Sequence, residues 1–298
     1  MPGPGEAWDP IRLTRWSGEY LEGKGVENGR LDAELLLAHT LGLGRLDLYL
    51  QFDRPLRPAE LESFKVLLRR RASREPLQYV LGQTTFRELD LRTDSRALIP
   101  RQETEVLVQE ILDWADLEGN SLSAVDVGTG SGAIALSLLK EGPFQRVVAI
   151  DPSSKALELA EENARNHGLE DRIDFRLGSG LEPLHATERF DVIASNPPYI
   201  PEGERASLQP EVRDWEPEEA LFAGPDGLDV LLPLLSRAPA FLEAGGLIAL
   251  EVGEAQADQV ARAMQETGGY RAVRVRPDLA GRDRVVLGVA SSRNSKDL

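Results

Sequence analysis

Cysteine is absent from this chain, and histidine occurs only three times in 298 residues. Without thiols there can be no disulfide bond, no thiolate metal site and no cysteine nucleophile. His39, His167 and His185 do not have the spacing of metal-ligating pairs, so no metal site is predicted. Thiol-dependent and metal-dependent chemistry are therefore not expected.

Long apolar runs are also missing. No segment approaches the ~20 apolar residues of a membrane helix, and the opening MPGPGEAWDP lacks the basic and apolar regions of an export signal. Hydrophobic residues make up 41% of the chain and charged residues 28%, as in globular proteins in water. We therefore expect a cytoplasmic protein, and we take it to be a monomer.

The charge is strongly acidic, with 34 Lys and Arg against 50 Asp and Glu and a formal net charge of −16. Residues 1–85 contain 12 side chains of each sign, so the whole excess lies in the remainder. An acidic surface repels the phosphate backbone of DNA and RNA. No direct nucleic-acid partner is therefore expected there.

Two domains and a linker are predicted from the pattern of apolar residues. In residues 1–75, leucine and aromatic residues recur at helical spacing between glycine and proline breaks, which predicts a small helical domain. In the linker, residues 76–99, apolar and polar residues alternate around Thr93, Asp94 and Ser95, which predicts a β-hairpin that turns there. Residues 100–298 then form the larger, catalytic domain.

The larger domain alternates short apolar runs with helical stretches, the pattern of βαβ units in a mostly parallel sheet. The last two strand-like runs, in YRAVRVRPDLAGRDRVVLGVA, are joined too closely for a helical crossover and should pair antiparallel. The polar tail SSRNSKDL is expected to be frayed. The predicted fold class is α/β, a Rossmann-like sheet with an antiparallel C-terminal strand, preceded by the helical domain. Strands of the parallel part are predicted at Ala124–Val127, Val147–Ile150, Ile173–Phe175, Val192–Ala194 and Leu247–Val252.

A glycine-rich turn, in AVDVGTGSGAIALSLL, follows the first predicted strand of this sheet. Glycines at 128, 130 and 132 let the backbone turn tightly and bring helix N–H groups against a ligand. Asp151 ends the next strand, where a carboxylate can accept both hydroxyl groups of a ribose. Asp126 either faces the cofactor's amino group or caps the next turn. The motif also fits the dinucleotide fingerprint, so it is compatible with either NAD or S-adenosylmethionine.

Asn196-Pro197-Pro198-Tyr199 follows the apolar run FDVIAS. Proline lacks an N–H and fixes φ, so the strand should end at Ser195. A planar –NH2 group is a poor nucleophile because its lone pair is delocalised. The Asn196 side-chain oxygen and the Pro197 carbonyl can hold its two N–H bonds and direct the lone pair at a sulfonium methyl group, while Tyr199 stacks on the flat target. This motif favours S-adenosylmethionine over NAD.

Taken together, these motifs resemble the PrmC/HemK family of release factor glutamine N5-methyltransferases, which belong to the class I S-adenosylmethionine-dependent enzymes. The resemblance covers nearly the whole chain. DNA adenine methyltransferases share Asn-Pro-Pro-Tyr but are not expected to share the linker blocks or the last block. The similar blocks are PLQYVLGQTTF, LIPRQETE, DVGTGSGAIALSL, SNPPYI and LQPEVRDWEPEEALFAGPDGLD.

The resemblance implies that the helical domain helps to recognise a peptide chain release factor, whose Gly-Gly-Gln loop carries the glutamine to be methylated. The glutamine would be held by Asn196, Pro197, Pro198 and Tyr199, of which Asn196, Pro197 and Tyr199 would be catalytic. Relatives commonly carry an acidic residue near Ser179, so adenine is expected to be held mainly by backbone groups. S-adenosylmethionine, released as S-adenosylhomocysteine, would be held by Asp126, Gly128, Thr129, Gly130, Ser131, Gly132, Asp151, Ser179, Gly180 and Asn196.

Three other functions are weighed against this one. A nucleic-acid adenine N6-methyltransferase should have a basic face or a target-recognition insert, and neither is evident. An NAD-dependent oxidoreductase would leave Asn-Pro-Pro-Tyr without a role. A non-catalytic binding module is also compatible with the fold alone.

Overall fold

The computed structural model describes residues 8–119 and 121–291. Our expectations for the chain start and for the frayed tail fall largely on residues 1–7 and 292–298, which lie outside the described residues.

The chain divides into two compact units. The first takes in the chain up to Gly82 together with Gln209–Trp215, and the second takes in Gln83–Leu208 and the chain from Glu216 onward. The first unit thus extends beyond the predicted boundary at residue 75 and includes a segment that we had placed in the catalytic domain.

The first unit is helical, as predicted, and its helices begin and end where the sequence punctuation indicates. Asp9 caps the first helix by accepting a hydrogen bond from the backbone N–H of Arg12 at 2.8 Å. Gly42 ends the second helix in the left-handed conformation. The apolar faces meet in one core that contains Leu21, Leu36 and Phe64. The helices are α1 (Pro10–Glu22), α2 (Gly29–Leu41), α3 (Arg45–Leu50), α4 (Pro58–Ala72) and α5 (Leu77–Leu81).

A buried ion network in the first unit connects its helices to Gln209–Trp215, the segment that comes from later in the chain. Arg71, on α4, donates from Nε to Asp32 at 2.7 Å and from Nη2 to Glu211 at 2.9 Å. Arg74 donates to both carboxylate oxygens of Glu211. Because Arg71 is only 6% exposed, burying its charge requires both partners. Glu211 therefore belongs structurally to the helical unit although it follows in the chain after most of the sheet.

The second unit begins with a hairpin of β1 (Gln83–Phe86) and β2 (Leu89–Arg92), which pair antiparallel. We expected its turn at Thr93–Ser95, and that position was wrong. The turn is at Arg87 and Glu88, and Arg87 has a φ of 49°. The Arg87 guanidinium is held by the carboxylate of Glu141 at 2.6 Å, so tertiary contacts support a turn that has no glycine or asparagine.

A mostly parallel sheet, with antiparallel strands at its C-terminal edge, forms the centre of the second unit as predicted. Within the described residues the strand order is β5-β4-β3-β6-β7-β9-β8, and β9 alone runs against the other six, pairing antiparallel with both β7 and β8. The strands are β3 (Leu122–Val127), β4 (Phe144–Asp151), β5 (Ile173–Leu177), β6 (Phe190–Ser195), β7 (Leu242–Glu251), β8 (Tyr270–Pro277) and β9 (Asp283–Ala290).

Helices follow the strands of this sheet, and the two faces of the sheet carry separate apolar cores. None of the described helices has the length and apolar character needed to cross a membrane. The helices are α6 (Gln102–Glu118), α7 (Ala133–Glu141), α8 (Ser154–His167), α9 (Pro210–Trp215), α10 (Leu231–Arg237) and α11 (Ala257–Glu266), of which α9 belongs to the first unit.

The chain topology creates a crevice at the centre of the sheet. From β3 the chain crosses to β4 on one side, whereas β6 pairs with β3 on the other. The register places Val127 beside Ser195, so these two parallel strands end at the same level. Open α/β sheets bind ligands at such a switch point, beyond the carboxyl ends of the strands. The glycine-rich turn and Asn-Pro-Pro-Tyr both begin there.

Candidate active site

The glycine-rich turn forms the first wall of the site. Gly128, Gly130 and Gly132 have φ values of 75°, 56° and 86°, a region in which a side chain strains the backbone. The backbone N–H groups of Gly128 and Thr129 both donate to Ile150 O, at 2.8 and 3.0 Å, and so attach the turn to the end of β4. Helix α7 starts directly after Gly132. The turn therefore brings a helix N-terminus to the carboxyl end of β3, where it can face a ligand.

Asp151 occupies the end of β4, beside this turn. Its Oδ2 accepts from the backbone N–H of Gly130 at 2.9 Å, and its Oδ1 accepts from that of Ser153 at 2.9 Å. Burial raises the pKa of the Asp151 carboxyl, and these two hydrogen bonds oppose the shift. Each oxygen retains a lone pair, so the fixed carboxylate can accept the two hydroxyl groups of a ribose.

Asp126 lies beneath the turn and is fully buried. Its Oδ2 accepts from Thr129 Oγ1 at 2.6 Å and from the backbone N–H of Ala135 at 3.2 Å. Burial raises the pKa of this carboxyl to about 7. These contacts match the capping role that we considered, and the predicted contact with the cofactor's amino group stays a prediction.

The Asn-Pro-Pro-Tyr segment begins where β6 ends, at Ser195 as predicted. Ser195 Oγ donates to Val127 O at 2.6 Å, which joins the ends of β6 and β3. Asn196 Nδ2 donates to Thr104 Oγ1 at 2.9 Å. The Tyr199 hydroxyl donates to Glu251 Oε1 at 3.3 Å, and burial raises the pKa of this phenol above its usual value.

One cavity brings most of the predicted residues together, namely Gly128, Thr129, Gly130, Ser131, Asp151, Ser179, Gly180, Asn196, Pro197 and Pro198. Three others, Asp126, Gly132 and Tyr199, lie next to its wall without lining it. The stacking role proposed for Tyr199 therefore stays a prediction.

Sequence reasoning assigned no role to two further parts of the cavity wall. One runs from Arg96 to Arg101 and continues to Thr104, and the other contains Pro217, Glu219 and Ala220. Both lie in sequence blocks that carried the family resemblance, LIPRQETE and the block that follows SNPPYI. That signal could have identified the segments, although it gave no reason to choose particular residues within them.

An ion pair with a buried carboxylate joins these two segments. Arg101 Nη2 donates to Glu216 Oε1 at 2.5 Å, and the backbone N–H of Ile99 donates to Glu216 Oε2 at 3.3 Å. Glu216 is only 5% exposed, and burial raises its pKa, whereas Arg101 opposes that shift. The ion pair therefore fixes two stretches of cavity wall that are more than a hundred residues apart in the chain.

Two family descriptions match the sequence, "PrmC N-terminal domain" over residues 12–82 and "Methyltransferase small domain" over residues 102–209. The release factor glutamine methyltransferase of Geobacter sulfurreducens is 44% identical over 95% of this chain and 97% of its own length. The chain belongs to the release factor glutamine methyltransferase family. The proteins of the same name from Rhodopirellula baltica and Xylella fastidiosa are 37% and 44% identical over 94% of this chain, and over 95% and 97% of their own lengths.

Solved structures agree with the sheet described for this family member. The catalytic domain of hMettl16, in complex with MAT2A 3'UTR hairpin 6, superposes with a TM-score of 0.56 at 14% identity, over 74% of this chain and 82% of that one. A methyltransferase from Pyrococcus furiosus gives 0.51 at 18% identity, over 68% and 90%. At these identities the likeness supports the fold alone.

As a member of this family, the protein is an enzyme whose methyl donor is S-adenosylmethionine, and the cavity fits this donor. Asp151 offers a carboxylate to a ribose, and the turn around Gly130 leaves no side chain between the backbone and a ligand. A Cβ atom added at Gly128 would lie 3.9 Å from Asn196 O, so the glycine-rich turn and the Asn-Pro-Pro-Tyr segment are close neighbours.

Proposed function

We propose that this chain transfers a methyl group from S-adenosylmethionine to the side-chain amide nitrogen of the glutamine in the Gly-Gly-Gln loop of peptide chain release factors, and that the Asn196–Tyr199 segment holds this glutamine. The proposal is carried by one observation. The glycine-rich turn and the Asn-Pro-Pro segment line one cavity at the ends of adjacent strands, β3 and β6. Donor and acceptor can therefore meet across a single pair of strand ends.

Positioning the amide is the main chemical task of the site. An amide nitrogen attacks poorly because its lone pair is delocalised into the carbonyl group. Asn196 Oδ1 and the Pro197 carbonyl oxygen are acceptors, and each takes one N–H of the target amide. Two fixed acceptors orient the nitrogen, and orientation of reactants can supply much of a rate enhancement. When bound, S-adenosylmethionine supplies an electrophilic methyl group on a sulfonium.

The rigidity of the segment supports this role. Pro197 and Pro198 have fixed φ angles, and Pro197 is buried. Beyond Tyr199 the chain is held by the Ile200 backbone N–H, which donates to Leu221 O at 2.9 Å. The prolines thus restrict the backbone that carries the two acceptors. Asp151 and the backbone at Ser179 and Gly180 hold the ribose and the adenine in our proposal.

We also propose that the protein acts in the cytoplasm as a monomer and does not bind nucleic acid. The excess of 16 negative charges over the chain supports a protein partner over a nucleic acid. Release factors meet the methyltransferase where proteins are synthesised. Sedimentation of the purified chain, alone and with a tRNA or a DNA duplex, tests the monomer and the absence of nucleic-acid binding.

The direct test is transfer of a radiolabelled methyl group from S-adenosylmethionine to the release factor of the same organism. A release factor whose loop glutamine is changed to alanine is the control. We expect label on the first protein and none on the second. Label on both would place the methyl group on another residue. Label on neither, when adenine-containing DNA or RNA is labelled under the same conditions, would establish the nucleic-acid alternative instead.

A further inference from the structure

A short chain of hydrogen bonds leads from the substrate motif to a buried carboxylate. Asn196 Nδ2 donates to Thr104 Oγ1 at 2.9 Å, and Thr104 Oγ1 donates to Glu251 Oε2 at 2.6 Å. The other oxygen, Glu251 Oε1, accepts from the Tyr199 hydroxyl. Thr104 is 4% exposed and Glu251 is 1% exposed. One buried carboxylate is therefore connected to two of the four residues predicted to hold the glutamine.

The order of donors and acceptors in this chain is imposed by Glu251. An ionised carboxylate can only accept hydrogen bonds, so the single proton of the Thr104 hydroxyl must point to it. The hydroxyl oxygen is then left as an acceptor toward Asn196, and of the two amide atoms only Nδ2 can donate to it. Asn196 Oδ1 is consequently turned the other way. Among residues 8–119 and 121–291, no hydrogen-bond partner occupies that oxygen.

This orientation is the one that the proposed chemistry requires. A target –NH2 group needs an acceptor, and Asn196 rotated by half a turn would present its own –NH2 group instead. Two facing donors repel, and a buried donor without an acceptor costs about 1–3 kcal/mol. The two amide orientations are nearly identical in shape, so packing alone does not select between them. A directional hydrogen bond does.

We propose, as a deepening of the function proposed above, that Thr104 and Glu251 are positioning residues for methyl transfer. Glu251, acting through the Thr104 hydroxyl, fixes the Asn196 side chain with its oxygen toward the substrate amide, and it holds the Tyr199 ring by its hydroxyl. Neither residue has to touch the substrate for this role.

The charges around Glu251 make the arrangement sensitive to pH. Burial raises the pKa of Glu251 to about 7, and Glu103 on α6 adds to the shift. Thr104 on the same helix, Tyr199 after β6 and Arg284 on β9 all favour the ionised form. A protonated Glu251 can donate to Thr104, which frees the threonine proton for Asn196 Oδ1 and permits the inactive orientation. Turnover should therefore decrease as the pH falls through about 7.

The test uses a matched pair, Thr104→Val and Thr104→Ser, in the full-length protein with its release factor. Valine keeps the shape and removes the hydroxyl, whereas serine keeps the hydroxyl. We expect Thr104→Val to lower kcat by roughly 10- to 100-fold, the loss of one oriented hydrogen bond. Thr104→Ser should stay within about threefold of wild type, and both should bind S-adenosylmethionine as wild type does.

A double variant separates positioning from a general structural effect. If Thr104 acts through Asn196, Thr104→Val should cost little further activity when Asn196 is already alanine, measured in single turnovers with enzyme in excess. The full loss in that background would overturn the proposal, as would equal losses for Thr104→Val and Thr104→Ser.

The pH profile gives a second readout that does not depend on the stability of the Thr104 variants. Glu251→Gln, which cannot ionise, should lose the decrease in kcat that wild type shows below pH 7. A profile identical to that of wild type would overturn the role of Glu251. A wild-type enzyme that labels no release factor would instead contradict the proposed function itself, and this inference with it.

Discussion

The hydroxyl of Ser195 donates to the carbonyl oxygen of Val127 at 2.6 Å, and this bond joins the last residues of two neighbouring parallel strands. Each strand continues directly into one half of the site, Val127 into the glycine-rich turn and Ser195 into Asn-Pro-Pro-Tyr. Serine is an unusual choice for a fully buried strand position, and its polar group is used here to fix the two halves at one distance. The pairing of β3 with β6 therefore also sets the position of the glycine-rich turn relative to the Asn-Pro-Pro-Tyr segment.

Ligand binding by the glycine-rich turn can be tested by substituting two glycines that have similar positive φ angles. Gly128 and Gly168 have φ values of 75° and 65°, so alanine at either position should cost about 1–2 kcal/mol in backbone strain. Gly168 ends α8 and has open space around it, whereas Gly128 lines the cavity. We expect Gly128→Ala to weaken S-adenosylmethionine binding at least tenfold and Gly168→Ala to leave it unchanged, measured by calorimetry. Equal affinities would argue against ligand contact at Gly128.

Asn196→Ala should separate chemistry from cofactor binding. The variant removes one of the two acceptors for the target amide, so we expect kcat to fall by about 100-fold or more. Asp151 and the glycine-rich turn are untouched, and the dissociation constant for S-adenosylmethionine should stay within about threefold of wild type. Steady-state methylation and equilibrium binding on the same preparation provide both numbers. Comparable losses in the two would show that Asn196 acts mainly by holding the cofactor, which the family resemblance also implies that it contacts.

The stability of the helical unit should depend on Arg71. Arg71→Met leaves the carboxylate of Asp32 buried without its cation, and removing one partner of a buried pair typically costs about 3–5 kcal/mol. Arg213→Met is the control, because Arg213 pairs with Asp214 at the surface, where ion pairs contribute little. Denaturant unfolding of both variants measures the difference. If Arg71→Met matched Arg213→Met, the buried network would not be stabilising.

The carboxyl of Asp126 should make the folded protein less stable as the pH rises. Burial raises its pKa to about 7, from 3.8 in an exposed carboxyl. Between those values the unfolded chain binds fewer protons than the folded one, so the free energy of unfolding decreases with pH and the decrease is complete above pH 7. Asp126→Asn cannot ionise. We expect the stability of wild type relative to this variant to fall by roughly 4 kcal/mol between pH 4 and pH 8, measured by denaturant unfolding. A constant difference would show that Asp126 is not protonated in the folded state.

The parts of the site that follow from local sequence were predictable. Prolines ended β6 at Ser195, and glycines marked the turn after β3, because each acts on the backbone at its own position. Asp151 followed from the end of a strand in a recognisable βαβ unit. Such signals depend on neighbours in sequence, which is all that one chain read alone displays.

Thr104 and Glu251 could not be found in the same way. Thr104 is 92 residues from Asn196 and 147 residues from Glu251, and each of the two has an ordinary local environment, a first helical turn and a strand end. Their proposed role depends on the direction of hydrogen bonds between residues that lie far apart in the chain. The hairpin turn at Arg87 was missed for a related reason, because the contact that stabilises it comes from Glu141. Tertiary contacts of this kind leave no periodic pattern.

The inclusion of Gln209–Trp215 in the helical unit has a consequence for the order of events on the ribosome. Helices α1 to α5 emerge first, but Arg71 meets the carboxylate of Glu211 only after 140 more residues have been synthesised. By then β3 to β6, with both halves of the candidate site, have already been synthesised. The part of the chain that is made first is thus among the last to be completed, and a nascent chain stalled before Glu211 carries a helical unit whose buried arginine still lacks one of its two acids.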